Sequence, residues 1–112
     1  MKILFAGTTA NAAEVLRYLH KQARHEIVGV LTRIDAQVGR KRELRESAVA
    51  QLAGELGLRV IKANVVDDHT NDELAKLDAE LGLVVAYGAF LKRQTLGIPA
   101  HGWINIHFSL LP

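Results

Sequence analysis

Short apolar runs alternate along the chain with stretches whose apolar residues recur every three or four positions, a pattern that predicts alternating strands and helices. Ile3-Leu4-Phe5-Ala6 carries no polar alternation and stops at Gly7, as a strand buried on both faces of a parallel sheet would. Thr8 or Thr9 then caps a helix over about residues 11–21, with Ala12, Val15, Leu16 and Leu19 on one face. Glu26 to Thr32 reads as the second strand. Arg33 to Glu46 has no apolar period and reads as a loop. Val49, Leu52, Ala53 and Leu56 restore the helical spacing, which Gly57 ends as a C-terminal cap. Arg59-Val60-Ile61 is a short third strand. Thr70 to Glu73 has capping-box spacing and opens a helix that uses Leu74, Leu77 and, if it runs that far, Leu81. Leu83 to Ala86 is the fourth strand, a short helical or turn segment spans Leu91 to Leu96, and Trp103 to His107 is the fifth strand.

Such alternation predicts an α/β fold built on an open, Rossmann-like, mostly parallel sheet with right-handed crossovers. Ligands on these sheets bind beyond the carboxyl ends of the strands. That rule points to Gly7 to Thr9, Thr32 to Asp35, Tyr87-Gly88 and His107 to Pro112. The sequence stops at Pro112, directly after the fifth strand, so it is expected to be the front part of a larger domain whose sheet is truncated there.

Composition narrows the function classes. With 112 residues, 49% of them hydrophobic and 23% charged, the chain supports one modest globular core. It has no cysteine, which excludes a disulfide scaffold, thiolate metal sites and a thiol nucleophile, and suits a cytoplasmic setting. The longest apolar stretch, Leu81 to Leu91, falls short of the ~18 residues that spanning a membrane requires. Met1-Lys2 and the run that follows mimic a signal start, but the run is shorter than an h-region of ~7 to 15 residues. The net charge of +2 is unevenly spread. Between Arg33 and Arg45, five basic residues (Arg33, Arg40, Lys41, Arg42, Arg45) oppose Asp35 and Glu43, a net of +3. A basic segment at the cleft side of a strand suits the phosphates of a large anionic substrate, although charge runs are usually solvated surface.

Gly7 invites a nucleotide reading because a helix N-terminus there binds phosphate. The fingerprints are missing: there is no G-x-G-x-x-G, and no Gly-Lys-Ser/Thr follows Gly7. His20, His25, His69 and His101 lack the spacing of metal ligands. Asn105 and His107 are more informative. They lie two apart on a predicted strand and so share a face, with Ile104 and Ile106 opposite. An amide that donates to a developing oxyanion, beside an imidazole that donates or shuttles a proton, suits acyl transfer. Two solvated polar residues on an edge strand fit the spacing equally well. Tyr87-Gly88 closes another strand where glycine lets a ligand approach the backbone, or simply makes a turn.

Taken together, Ile-Leu-Phe-Ala-Gly-Thr at residues 3–8, Gly-Arg-Lys-Arg at 39–42, Val-Val-Ala-Tyr-Gly at 84–88 and Asn-Ile-His-Phe-Ser-Leu-Leu-Pro at 105–112 resemble the methionyl-tRNA formyltransferase family, over essentially the whole chain. Asn-x-His followed by Ser-Leu-Leu-Pro is specific to the wider folate-dependent formyltransferase group. The opening, the basic segment and Ala-Tyr-Gly narrow the resemblance to its tRNA-modifying members.

The resemblance implies formyl transfer from 10-formyltetrahydrofolate to the α-amino group of methionine on initiator tRNA, a step of translation initiation. No metal is implied. The amine attacks the formyl carbon, a tetrahedral oxyanion forms, and Asn105 and His107, two of the family's Asn-His-Asp catalytic set, stabilise it. The same resemblance assigns Tyr87, Gly88, Ser109, Leu110, Leu111 and Pro112 to the folate, and Arg40, Lys41 and Arg42 to the acceptor end of tRNA. It makes residues 1–112 the N-terminal portion of the catalytic domain, with the remainder and the C-terminal tRNA-binding domain outside this chain. A monomer is expected for the full-length protein.

The family's Asp lies beyond Pro112, so the isolated 112-residue chain is expected to be inactive. Thr9 stands where the family usually has Pro, and Asn11 where an aromatic residue is usual. Trp103 occupies a position often held by a smaller residue and shares the face of Asn105 and His107. The rival readings are a sister enzyme (glycinamide ribonucleotide formyltransferase or formyltetrahydrofolate hydrolase) and a non-catalytic fragment or binding module. A small acceptor, or water, gives no reason for the basic segment.

Overall fold

The computed structural model describes residues 1–107. Five strands, β1 (Lys2–Gly7), β2 (Glu26–Thr32), β5 (Val60–Lys62), β6 (Leu81–Val85) and β7 (Trp103–Ile106), form one sheet in the order β5-β2-β1-β6-β7. Every pairing in it is parallel. The helices α1 (Ala10–His20), α2 (Ala48–Glu55), α3 (Asp68–Ala75) and α4 (Arg93–Leu96) fill the crossovers. Alternate residues of β1 serve the two faces. Ile3 and Phe5 join Ala12, Leu16, Val49, Leu52 and Ala53 in one apolar core. Leu4 and Ala6 join Leu31, Ile61, Leu74 and Tyr87 in the other. Burial on both sides is what the unbroken apolar run of β1 encodes.

Local chemistry sets most boundaries. Thr9 caps α1, its hydroxyl accepting from the Ala12 amide at 3.2 Å. At the end of α2, Gly57 takes a left-handed φ of 72°, and Leu58 N–H reaches back to the Ala53 carbonyl at 2.9 Å, closing a Schellman turn. Gly7 is required by packing, because a Cβ there would lie 2.7 Å from the Val85 carbonyl and 2.9 Å from Ala12 Cβ.

Three expectations are corrected. The helix placed at Thr70 starts a turn earlier, because the Asp67 carboxylate caps it by accepting from the Thr70 amide at 2.9 Å. Asp satisfies free helix amides as well as Thr does. Leu81 belongs to β6, where it pairs with Ile3, rather than to a helix. The largest correction concerns the polar segment after β2. It is not a loop but an antiparallel hairpin of β3 (Ala36–Val38) and β4 (Glu43–Arg45), turning at Gly39 with a φ of 73°. All six strand residues are exposed, so no buried face left a period in the sequence.

The sheet order reverses at β1: β2 and β5 extend to one side, β6 and β7 to the other. The carboxyl ends of β1 and β6 therefore flank the crevice where such folds accept ligands.

Candidate functional site

Four loops meet at that crevice and are tied by polar contacts. The Thr8 hydroxyl donates to the Tyr87 carbonyl at 2.7 Å, and Thr8 N–H donates to the Ala86 carbonyl at 3.1 Å. Arg33, just past β2, donates through its terminal guanidinium nitrogen to the Gly88 carbonyl at 3.1 Å and through Nε to Asn64 Oδ1 at 3.3 Å. Asn64 Oδ1 also accepts from the Ile34 amide at 2.9 Å. The Tyr87 ring is sealed in the core and its hydroxyl donates to the Ala63 carbonyl. Burial pushes its pKa up to about 12, against a smaller lowering effect of the Arg33 charge. After β6 the chain bends through left-handed backbone at Ala86 (φ 48°) and Gly88 (φ 85°), so that Tyr87 turns inward while the loop opens outward.

Asn105 and His107 are exposed and face a hollow of about 390 Å³, lined also by Val84, Ala86, Tyr87, Gly88, Ala89 and Phe90. Four residues singled out from sequence thus share one cavity: Tyr87, Gly88, Asn105 and His107. Ile106 turns to the opposite core. Trp103 lies beneath Asn105 against Gly82, its indole N–H donating to the Thr95 carbonyl at 3.1 Å. Ser109, Leu110, Leu111 and Pro112 lie outside the described residues.

Arg40, Lys41 and Arg42 occupy the turn of the hairpin, away from that cavity. Arg42 holds a left-handed φ of 53°, a conformation that costs any residue but glycine. Between the hairpin and the first loop lies a larger hollow of about 590 Å³. Thr8, Arg33, Asn64 and Ser47 line it on the sheet side, and Ala36, Val38 and Arg45 on the hairpin side. The Thr8–Arg33–Gly88 contacts form the wall between the two hollows.

Sequence reading missed Arg33 and Asn64 as braces, and Phe90 as a lining residue. Position just past β2 and β5 was the available signal for the first two, and a large apolar side chain after Tyr87-Gly88 for the third. Among the described residues, no group of three or more His, Asp or Glu is placed to hold a metal, and no helix is long and apolar enough to cross a membrane.

A family model described as formyl transferase matches residues 1–112. The chain belongs to the formyl transferase family. The formyltransferase chain is 51% identical to the methionyl-tRNA formyltransferase of Paenarthrobacter aurescens, over all of this chain and 36% of that protein. It is likewise 51% identical to that of Renibacterium salmoninarum and 50% identical to that of Acidothermus cellulolyticus, again over its whole length. It therefore spans about a third of the length of these curated relatives. Among solved structures, phosphoribosylglycinamide formyltransferase from Bacillus halodurans matches all of this chain and 58% of its own, with a TM-score of 0.68 at 14% identity. That likeness shows the α/β formyltransferase fold.

Proposed function

We propose that this chain is the N-terminal portion of the catalytic domain of a methionyl-tRNA formyltransferase, taking its formyl group from 10-formyltetrahydrofolate. The observation that carries the reading is the meeting of Asn105 and His107 with Tyr87-Gly88 around one cavity beside the switch point. Identity near one half to relatives of that name supports the choice of acceptor.

The cavity fits a folate head. Its volume lies within the ~300 to 1,000 Å³ typical of small-molecule sites. Val84, Ala89 and the exposed Phe90 ring give it apolar walls, and the side-chain-free backbone of Gly88 gives it a polar edge. Ser109, Leu110, Leu111 and Pro112 join the donor side by motif. The donor, when bound, supplies an electrophilic formyl carbon. The Asn105 amide N–H then stabilises negative charge developing on the formyl oxygen. The His107 imidazole donates to the same oxygen or takes the proton shed by the attacking amine. As the intermediate collapses, the bond from the formyl carbon to the folate nitrogen breaks and that nitrogen leaves with the proton.

The acceptor approaches from the hairpin side. Arg40, Lys41 and Arg42 hold phosphates of the tRNA acceptor end, the 590 Å³ hollow takes part of that end, and the methionyl amine reaches over the Thr8–Arg33 wall to the formyl carbon beside Asn105 and His107. A small acceptor or water would leave this basic hairpin without a purpose.

Steady-state formylation by the full-length natural protein tests the reading. Asn105→Ala is expected to lower kcat by ~100 to 1,000-fold. Replacing Arg40, Lys41 and Arg42 together by Ala is expected to raise KM for methionyl-tRNA, leave KM for the folate, and flatten the dependence of log KM on log salt by roughly 2 to 3 units. Preference for glycinamide ribonucleotide over charged tRNA, or an unchanged salt slope in the triple variant, would sink it.

A further inference from the structure

The hairpin contributes nothing to either apolar core, and a two-stranded ribbon alone is marginally stable in water. Something outside its own ladder must fix where it points. Lys62, the last residue of β5, stands beneath it. Its ammonium donates to Asp35 Oδ1 at 2.8 Å and to Glu46 Oε1 at 3.2 Å. Asp35 immediately precedes β3 and Glu46 immediately follows β4, so one cation joins both feet of the hairpin. Other bonds hold the feet singly: Ile34 N–H on Asn64, and the Glu46 carbonyl accepting from Gln51 Nε2 at 3.1 Å. The hydrogen bond that Lys62 donates to Asp35, helped by the one it donates to Glu46, holds the Lys62 pKa above its ordinary value against a partial desolvation cost. Both feet also line the 590 Å³ hollow, so the clamp sets its width as well as the direction of the turn.

We propose that Lys62 is a positioning residue for the acceptor: by tying Asp35 to Glu46 it aims Arg40, Lys41 and Arg42 at the incoming tRNA. This rests on the hairpin being the tRNA contact. Exposed ion pairs stabilise proteins little, so the consequence of losing the clamp falls on geometry rather than on global folding.

Lys62→Met and Lys62→Arg in the full-length natural protein test it, with amide hydrogen exchange and formylation kinetics as readouts. Lys62→Met is expected to speed exchange across residues 36–45 and to raise KM for methionyl-tRNA, each by roughly three- to tenfold, the effect of two exposed ion pairs. KM for the folate and kcat at saturating tRNA stay put. Lys62→Arg, which can still bridge two carboxylates, restores both readouts. Unchanged exchange in Lys62→Met overturns the clamp. Faster exchange with unaltered tRNA KM, where the Arg40/Lys41/Arg42 variant raises it, overturns the positioning role but leaves the hairpin as the tRNA contact. If neither variant moves the tRNA KM, the hairpin is not that contact and the proposal falls with it.

Discussion

Tyr87 is the largest side chain sealed inside the molecule, yet the next residue, Gly88, opens onto the candidate site. Its hydroxyl on the Ala63 carbonyl ties the end of β6 to the end of β5. Because burial raises its pKa from 10.0 to about 12, the fold favours the neutral phenol. That stability is fully present below pH 10.0 and is lost as pH rises through about 12. Tyr87→Phe is expected to lower the unfolding free energy by about 1 kcal/mol at neutral pH. It should also fall less steeply than wild type between pH 10.0 and 12 in urea titrations, and parallel curves would refute the argument. At this scale the sequence was readable where side-chain parity alone decides. Asn105 and His107 share a face because two residues of a strand bring the direction round again. Arg33 and Asn64 were not readable as partners, since their contact depends on β2 and β5 lying side by side, which no local pattern encodes.

Elements with a buried face announced themselves through their apolar period, whereas the hairpin, with no buried face, did not. The cap of α3 shows a second limit: Asp67 and Thr70 are both good caps, and in the fold Asp67 takes the role while Thr70 and Asn71 lie buried within the helix it opens. The pairing of β6 with β7 holds a further dependence. Gly82 lies opposite Trp103, and a Cβ on it would sit 2.3 Å from the indole ring. The ring is held in place by its bond to Thr95, whose hydroxyl in turn donates to Asn71 at 2.7 Å inside the core. Gly82→Ala is therefore expected to cost about 1 to 3 kcal/mol by overpacking. Displacing Trp103 shifts Asn105 on the same strand, so under the proposed function formylation by the full-length natural protein should fall along with the melting temperature. A variant as stable and active as wild type would show that β7 has slack.

Across the whole molecule, the alternation of strand and helix announces a parallel α/β sheet, but not the order β5-β2-β1-β6-β7. That order arises when the chain leaves β5 and crosses back to the far side of β1, a choice made by the two cores together. Stability should be graded accordingly. Amides of β1, whose Leu4, Phe5 and Ala6 are wholly buried, are expected to exchange most slowly, and those of the hairpin fastest, by orders of magnitude. Uniform protection in a hydrogen-exchange map would contradict the division. The joined feet of the hairpin carry one more consequence. Since Asp35 and Glu46 meet on a single ammonium, the path between them is a detour that leaves the sheet and returns to where it began. Closing a longer detour costs only slightly more entropy. This makes the hairpin a natural grafting point, where a ribbon of different length or charge can be exchanged while strand order, both cores and Asn105 stay as they are.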